Sequence, residues 1–161
     1  MPALAKSFAA LGLRNVRTLL ASGNVVFDAE KESAAALEKR IEDGLRADFG
    51  FEISVLLRAA REINAMAAAQ PFASVPAGAD VKLYVLLLKE PKKHSALSGW
   101  ESPLKDLKIL KASDREIFTV CFPQKNGRYG HEGMELLGRQ IRTQTTTRNW
   151  NTLLKIHAAM Q

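Results

Sequence analysis

The residues best suited to chemistry lie together late in the chain, in Lys125-Asn126-Gly127-Arg128-Tyr129-Gly130-His131-Glu132-Gly133. Three glycines ahead of a helix let backbone N–H groups and the positive end of the helix face an anion. Arg128 could add a bidentate contact, and His131 is the one candidate acid or base. No Gly-Lys-Ser/Thr ending follows, so the segment is not a P-loop, and an ordinary glycine-rich surface loop is the simpler reading. Arg139, Arg142 and Arg148 come next and extend the candidate ligand-binding set begun by Arg128, provided folding gathers them on one surface.

Other reactive side chains have structural explanations. Asn149 suits the cap of a last helix that Trp150 anchors, since Leu153 and Leu154 continue its stripe. Cys121 alternates with Ile117 and Thr119 on a strand pattern, which makes it a buried small hydrophobe before it is a nucleophile. Ser22, Gly23 and Asn24 are turn residues. His94, His131 and His157 are far apart and none has a partner at helical ligand spacing, so no metal and no cofactor is expected.

A chain of 161 residues, 47% hydrophobic and 25% charged, has the composition of one globular domain or two very small ones. Its longest apolar runs, such as Val85 to Leu88, fall far short of the roughly 20 residues a membrane helix needs, so a membrane partner is not expected. One cysteine fits a reducing compartment, and the expected location is cytoplasmic. The net charge is +6 and uneven: from Phe122 onward six basic residues face only Glu132 and Glu135. That surplus permits an acidic partner and locates it in the last quarter.

The positioning elements follow from periodicity. Leu4, Phe8 and Leu11 mark a short helix ended by Gly12, and Val16–Ala21 with Val25–Ala29 make a hairpin about Ser22-Gly23-Asn24. Ser33 caps a helix striped by Leu37, Ile41, Leu45 and Phe49, which Gly50 ends. A strand over Ile53–Leu57 and a helix over Arg61–Gln70 lead to a Pro/Gly-rich linker. Beyond it come a buried strand at Lys82–Leu88, a short helix near Ser95–Trp100 and a hairpin of Leu107–Ala112 with Glu116–Phe122. A helix at Met134–Ile141, an extended Thr143–Thr147 and a final helix complete the chain.

The expected class is therefore α+β, in two ferredoxin-like (βαββαβ) halves: residues 1–72, a linker at 73–80, and residues 81–161. The first half reads αββαβα, which is the second half's order without its opening strand. In a split βαβ sheet that strand is central, so its neighbours would have unpaired edges open to a second copy of the chain.

The segment Arg17-Thr18-Leu19-Leu20-Ala21-Ser22-Gly23-Asn24-Val25-Val26-Phe27 resembles the hairpin signature of the bacterial family designated domain of unknown function 1697. Gln70-Pro71-Phe72 and Thr147-Arg148-Asn149-Trp150-Asn151-Thr152 resemble two further signatures of that family. The resemblance implies an opening strand with an Arg-Gly-Ile-Asn-Val-Gly-Gly-like turn just before the first helix, a segment that this sequence lacks. It implies a fold and no activity.

Three functions remain open on these grounds. The first is binding of a phosphate-bearing ligand, nucleic acid or a phosphorylated small molecule. The second is an enzyme acting on an anionic substrate between the halves, and the third is a self-associating protein without catalysis.

Overall fold

The computed structural model describes residues 1–161, which divide into two compact units, Met1–Ala60 with Lys155–Gln161, and Arg61–Leu154. The boundary thus falls at the first residue of the third helix, and residues 73–80, expected as a linker, lie inside the second unit.

The first unit contains α1 (Pro2–Ala10), the antiparallel hairpin of β1 (Arg14–Leu19) and β2 (Asn24–Asp28), and α2 (Ala34–Phe49). Its ends form as the residue types require. Gly12 and Gly50 take positive φ after the two helices, Gly23 does so in the hairpin turn, and the Ser33 hydroxyl accepts the Ala36 N–H at the start of α2. Phe8, Leu13, Ile41 and Leu45 form the buried centre, with the Phe8 and Phe27 rings edge to face at 5.3 Å.

The strand expected at Ile53–Leu57 is not one: these residues belong to no ladder, and β2 pairs with β1 alone. Their alternation is nevertheless real. Ile53, Val55 and Leu57 pack half-buried against the core cluster, and the Val55 N–H donates to Glu42 Oε1 at 2.9 Å. Apolar periodicity fixes which side chains turn inward, but a ladder also needs a strand to pair with, and this segment pairs with none.

In the second unit, α3 (Ala60–Ala68) precedes β3 (Lys82–Leu88), β4 (Leu107–Ala112), β5 (Glu116–Cys121), α4 (His131–Gln140) and β6 (Thr145–Asn149). The sheet order is β4-β5-β3-β6 with every neighbour antiparallel, which is the split βαβ order with β3 in a central place. The helix expected between β3 and β4 shrinks to one 3-10 turn at Ser95–Leu97, in a connection punctuated by Pro91, Gly99 and Pro103.

Period-two alternation sorts this sheet into two faces. Leu86, Leu88, Leu107, Ile109, Ile117 and Cys121 meet Leu137 and Ile141 on the α4 side. On the other side Phe118 joins a triangle of edge-to-face rings with Phe72 and Trp150, whose centroids are 5.2–6.1 Å apart. Trp150 is thus the anchor expected of it. It opens α5 (Trp150–Ala159), where Asn149 Oδ1 accepts the Asn151 N–H. Residues 150–154 of α5 belong to the second unit and the rest to the first.

Candidate functional site

An open cleft of about 560 Å³ lies in the second unit on the α4 side of the sheet, a volume typical of small-molecule sites. Its floor is Lys82, Tyr84 and Leu86 of β3 beside Thr145 and Thr147 of β6. The register explains the grouping: Leu86 lies opposite Thr147 and Leu88 opposite Thr145, so these alternate residues share a face. His131, Met134 and Gly138 of α4 form the wall, and the loop 127–130 closes one end.

The loop is shaped by its own bonds. Gln124 N donates to Arg128 O, the Arg128 N–H to Asn126 Oδ1, and Gly127 turns the chain at φ +76°. Tyr129 is tied down twice. Its hydroxyl donates to Asp80 Oδ1 at 2.6 Å, which raises the phenol pKa, and Lys82 Nζ stands 4.5 Å from its ring centroid. Burial, reinforced by Cys121, likewise raises the pKa of Tyr84. Lys82 and Arg128 are the formal cations of the lining, which contains no carboxylate.

The helix N-terminus expected to face an external anion is already occupied by an internal one. Asp106, 1% exposed, accepts the N–H groups of Glu132 and Gly133 on Oδ2, each at 3.1 Å, and the Ser102 hydroxyl on Oδ1 at 2.6 Å. The positive end of α4 is thereby satisfied from within. The glycines also acquire a packing reason. A Cβ on Gly133 would lie 2.4 Å from Leu107 Cβ, and one on Gly130, at φ +59°, would lie 2.5 Å from Cys121 Sγ. The phosphate-cradle reading of these backbone groups is thus replaced by an intramolecular cap.

The sequence-derived residues separate accordingly. Arg128 and His131 meet at the cleft, both exposed. Arg139 lies one residue past the Gly138 wall and is ion-paired with Glu135 at 2.6 Å. Arg142 is exposed beyond the end of α4 and lines no part of the cleft. Arg148, opposite Val85, belongs to the other face of the sheet. Its Nη1 donates to Thr146 Oγ1 and Thr147 O, and burial lowers its pKa. The four arginines therefore do not form one surface. Cys121 is fully buried, and burial pushes its thiol up to about 11, the opposite of what a nucleophile needs.

The sequence reading did not single out Lys82, Tyr84, Thr145, Thr147 and Asp106. A signal existed for the first two, because Lys-x-Tyr at the start of an otherwise apolar strand marks a face that is polar at one end. Asp106 gave no such signal, since the helix N–H groups it caps are 26 and 27 residues away.

Fold and cleft define a class: an α+β protein of two units, the larger a four-stranded antiparallel sheet with a cleft between its open face and one helix. The chain belongs to the family of proteins of unknown function DUF1697, whose model matches residues 1–118. That match includes β3 but ends before the loop 127–130, α4 and β6. A solved structure of a conserved bacterial protein from Streptococcus pneumoniae has the same fold, with TM-score 0.72 and 20% identity over 100% of this chain and 88% of that one. No curated protein matches the chain. No helix is long and apolar enough to cross a membrane.

Proposed function

We propose that the second unit binds a small phosphate-bearing molecule in the cleft along α4. The observation that carries this reading is the lining itself, where Lys82 and Arg128 stand at one end of a roomy cleft with no carboxylate among the lining residues. Neither cation is in an ion pair, so an anionic ligand would compete with water and with the Lys82–Tyr129 ring contact rather than with a carboxylate. Hydroxyls of Tyr84, Thr145 and Thr147 supply neutral hydrogen-bonding groups along the floor.

The same placement favours a small ligand over a nucleic acid. A polymer tracked by phosphate contacts needs a continuous basic strip, whereas Arg139 is paired and Arg148 lies on the opposite sheet face. A cytoplasmic setting, in keeping with the lone buried thiol Cys121, is part of this reading.

Isothermal titration of the protein with a panel of phosphorylated metabolites is the test. Binding to at least one, weakened about tenfold or more in Arg128→Ala, supports the proposal. Failure of the whole panel, or salt-dependent affinity for single-stranded RNA that Arg128→Ala leaves unchanged, would overturn it.

A further inference from the structure

The cleft is chemically graded along its length. Its cations, Lys82 and Arg128, stand at the end closed by Tyr129, where α4 begins. Lys82, Tyr84 and Leu86 then follow one another on a single face of β3, giving about 13 Å of floor at the usual strand rise. Toward the far end the lining changes to Leu86, Met134 and Gly138 with the hydroxyls of Thr145 and Thr147, and it holds no further cation. A compact dianion would use only one end. A polyphosphate chain long enough to fill the cleft would run its later charges over Leu86 and Met134, where only the neutral Thr145 and Thr147 hydroxyls could meet them.

Resting on the phosphate reading above, we propose that the ligand is a phosphate monoester with a flat, largely apolar body of about nucleoside size. Its phosphate lies at the Lys82 and Arg128 end, and its body runs over the Tyr84 ring toward Gly138. The Tyr84 ring and Met134 offer the adaptable apolar contacts that a ring system takes, and the two threonine hydroxyls meet its polar edge.

Gly138 makes the inference testable. It lines the far end, and a Cβ there meets nothing within 4 Å. A larger side chain there enters open space at the cleft rather than a packed interface, and replacing a glycine in the last turn of α4 favours the helix. The experiment is isothermal titration of the full chain with inorganic phosphate, phenyl phosphate and adenosine 5′-monophosphate, for the natural protein and for Gly138→Leu, with circular dichroism confirming the fold. The natural protein is expected to bind the nucleotide at least about tenfold tighter than inorganic phosphate, with phenyl phosphate between them. Gly138→Leu should remove that advantage while changing the affinity for inorganic phosphate by less than about twofold.

Equal affinity of the natural protein for nucleotide and inorganic phosphate, or nucleotide binding untouched by Gly138→Leu, overturns the inference and leaves the phosphate reading standing. No binding of any of the three compounds, together with failure of the wider metabolite panel, overturns the phosphate reading itself.

Discussion

The two units use nearly the same order of elements and reach different results. In the second, β3 has ladders on both sides, with β5 and with β6, and its residues Val85 to Leu88 are all buried. In the first, the hairpin β1–β2 and the extended residues 53–57 flank no such strand. The latter are held by apolar contacts and by side-chain bonds such as that from the Val55 N–H to Glu42. A strand is thus a property of its neighbours as much as of its own residues. The cleft illustrates the consequence, because its floor exists only where β3 and β6 are locked in register.

Placing the same substitution in each unit measures that difference. Leu88→Asp puts a carboxylate at a fully buried site in the β3 core, and it is expected to cost more than about 4 kcal/mol, enough to prevent the second unit from folding. Leu57→Asp lies half-buried outside any ladder, where the carboxylate can reach water, and about 1 to 2 kcal/mol is expected. Both tryptophans, Trp100 and Trp150, belong to the second unit, so their fluorescence during denaturation follows that unit. Hydrogen exchange of the amides reports on the first. Equal costs at the two positions would break the comparison.

A second measurement probes the β3–β5 core through pH. The Cys121 thiol is raised from 9.0 to about 11, chiefly by burial, with Asp106 adding to the rise and a bond with Thr119 opposing it. Above pH 9 the unfolded chain loses this proton while the folded chain keeps it. The stabilisation is therefore complete below pH 9.0 and is lost as pH rises to about 11. The expected loss is about 2 to 3 kcal/mol. Lysines and tyrosines titrate in the same range, so the quantity to follow is the stability difference between the natural protein and Cys121→Ala. That difference should narrow between pH 9 and 11, and a constant difference would mean the thiol titrates alike in the folded and unfolded chain.

Much of this architecture was legible in the residues. The Leu37, Ile41, Leu45 and Phe49 stripe, the Ser33 cap and the glycines at 12, 23 and 50 each act locally, through contacts within a turn or two. Strand β3 was equally plain as an apolar run, and so was the role of Trp150. The failures share a cause, since each depended on a partner remote in sequence. Residues 53–57 have strand-like alternation and no strand to pair with. The glycine-rich loop has the composition of an anion cradle, yet its helix terminus is filled by Asp106, the residue before β4. Arg148 looked like a companion of Arg128, but once β6 is set against β3, alternation turns it to the opposite face. The cleft joins residues from 82 to 147, and only the sheet register brings them together.

The smallest predicted effect separates packing from composition at two helical glycines. In α4, Gly133 faces Leu107 Cβ and Asp106 Oδ1, which a new methyl group would approach to 2.4 and 2.7 Å. The first atom is fixed by the β4 backbone and the second belongs to a carboxylate held by the Ser102 hydroxyl on Oδ1 and by two backbone N–H groups on Oδ2, so neither can yield cheaply. Gly133→Ala is expected to cost about 2 to 3 kcal/mol despite the gain in helix propensity. In α2, Gly44 also meets short distances, 2.8 and 2.9 Å, but to the terminal methyl groups of Leu11, which is only half-buried and can change rotamer. The helix-propensity gain of up to about 1 kcal/mol then offsets the rearrangement, and Gly44→Ala should change stability by less than about 1 kcal/mol in either direction. Chemical denaturation of the two variants gives the comparison. A Gly44→Ala cost matching that of Gly133→Ala would show that Leu11 is as firmly held as the Asp106 cap, and that the smaller unit is packed as rigidly as the sheet carrying the cleft.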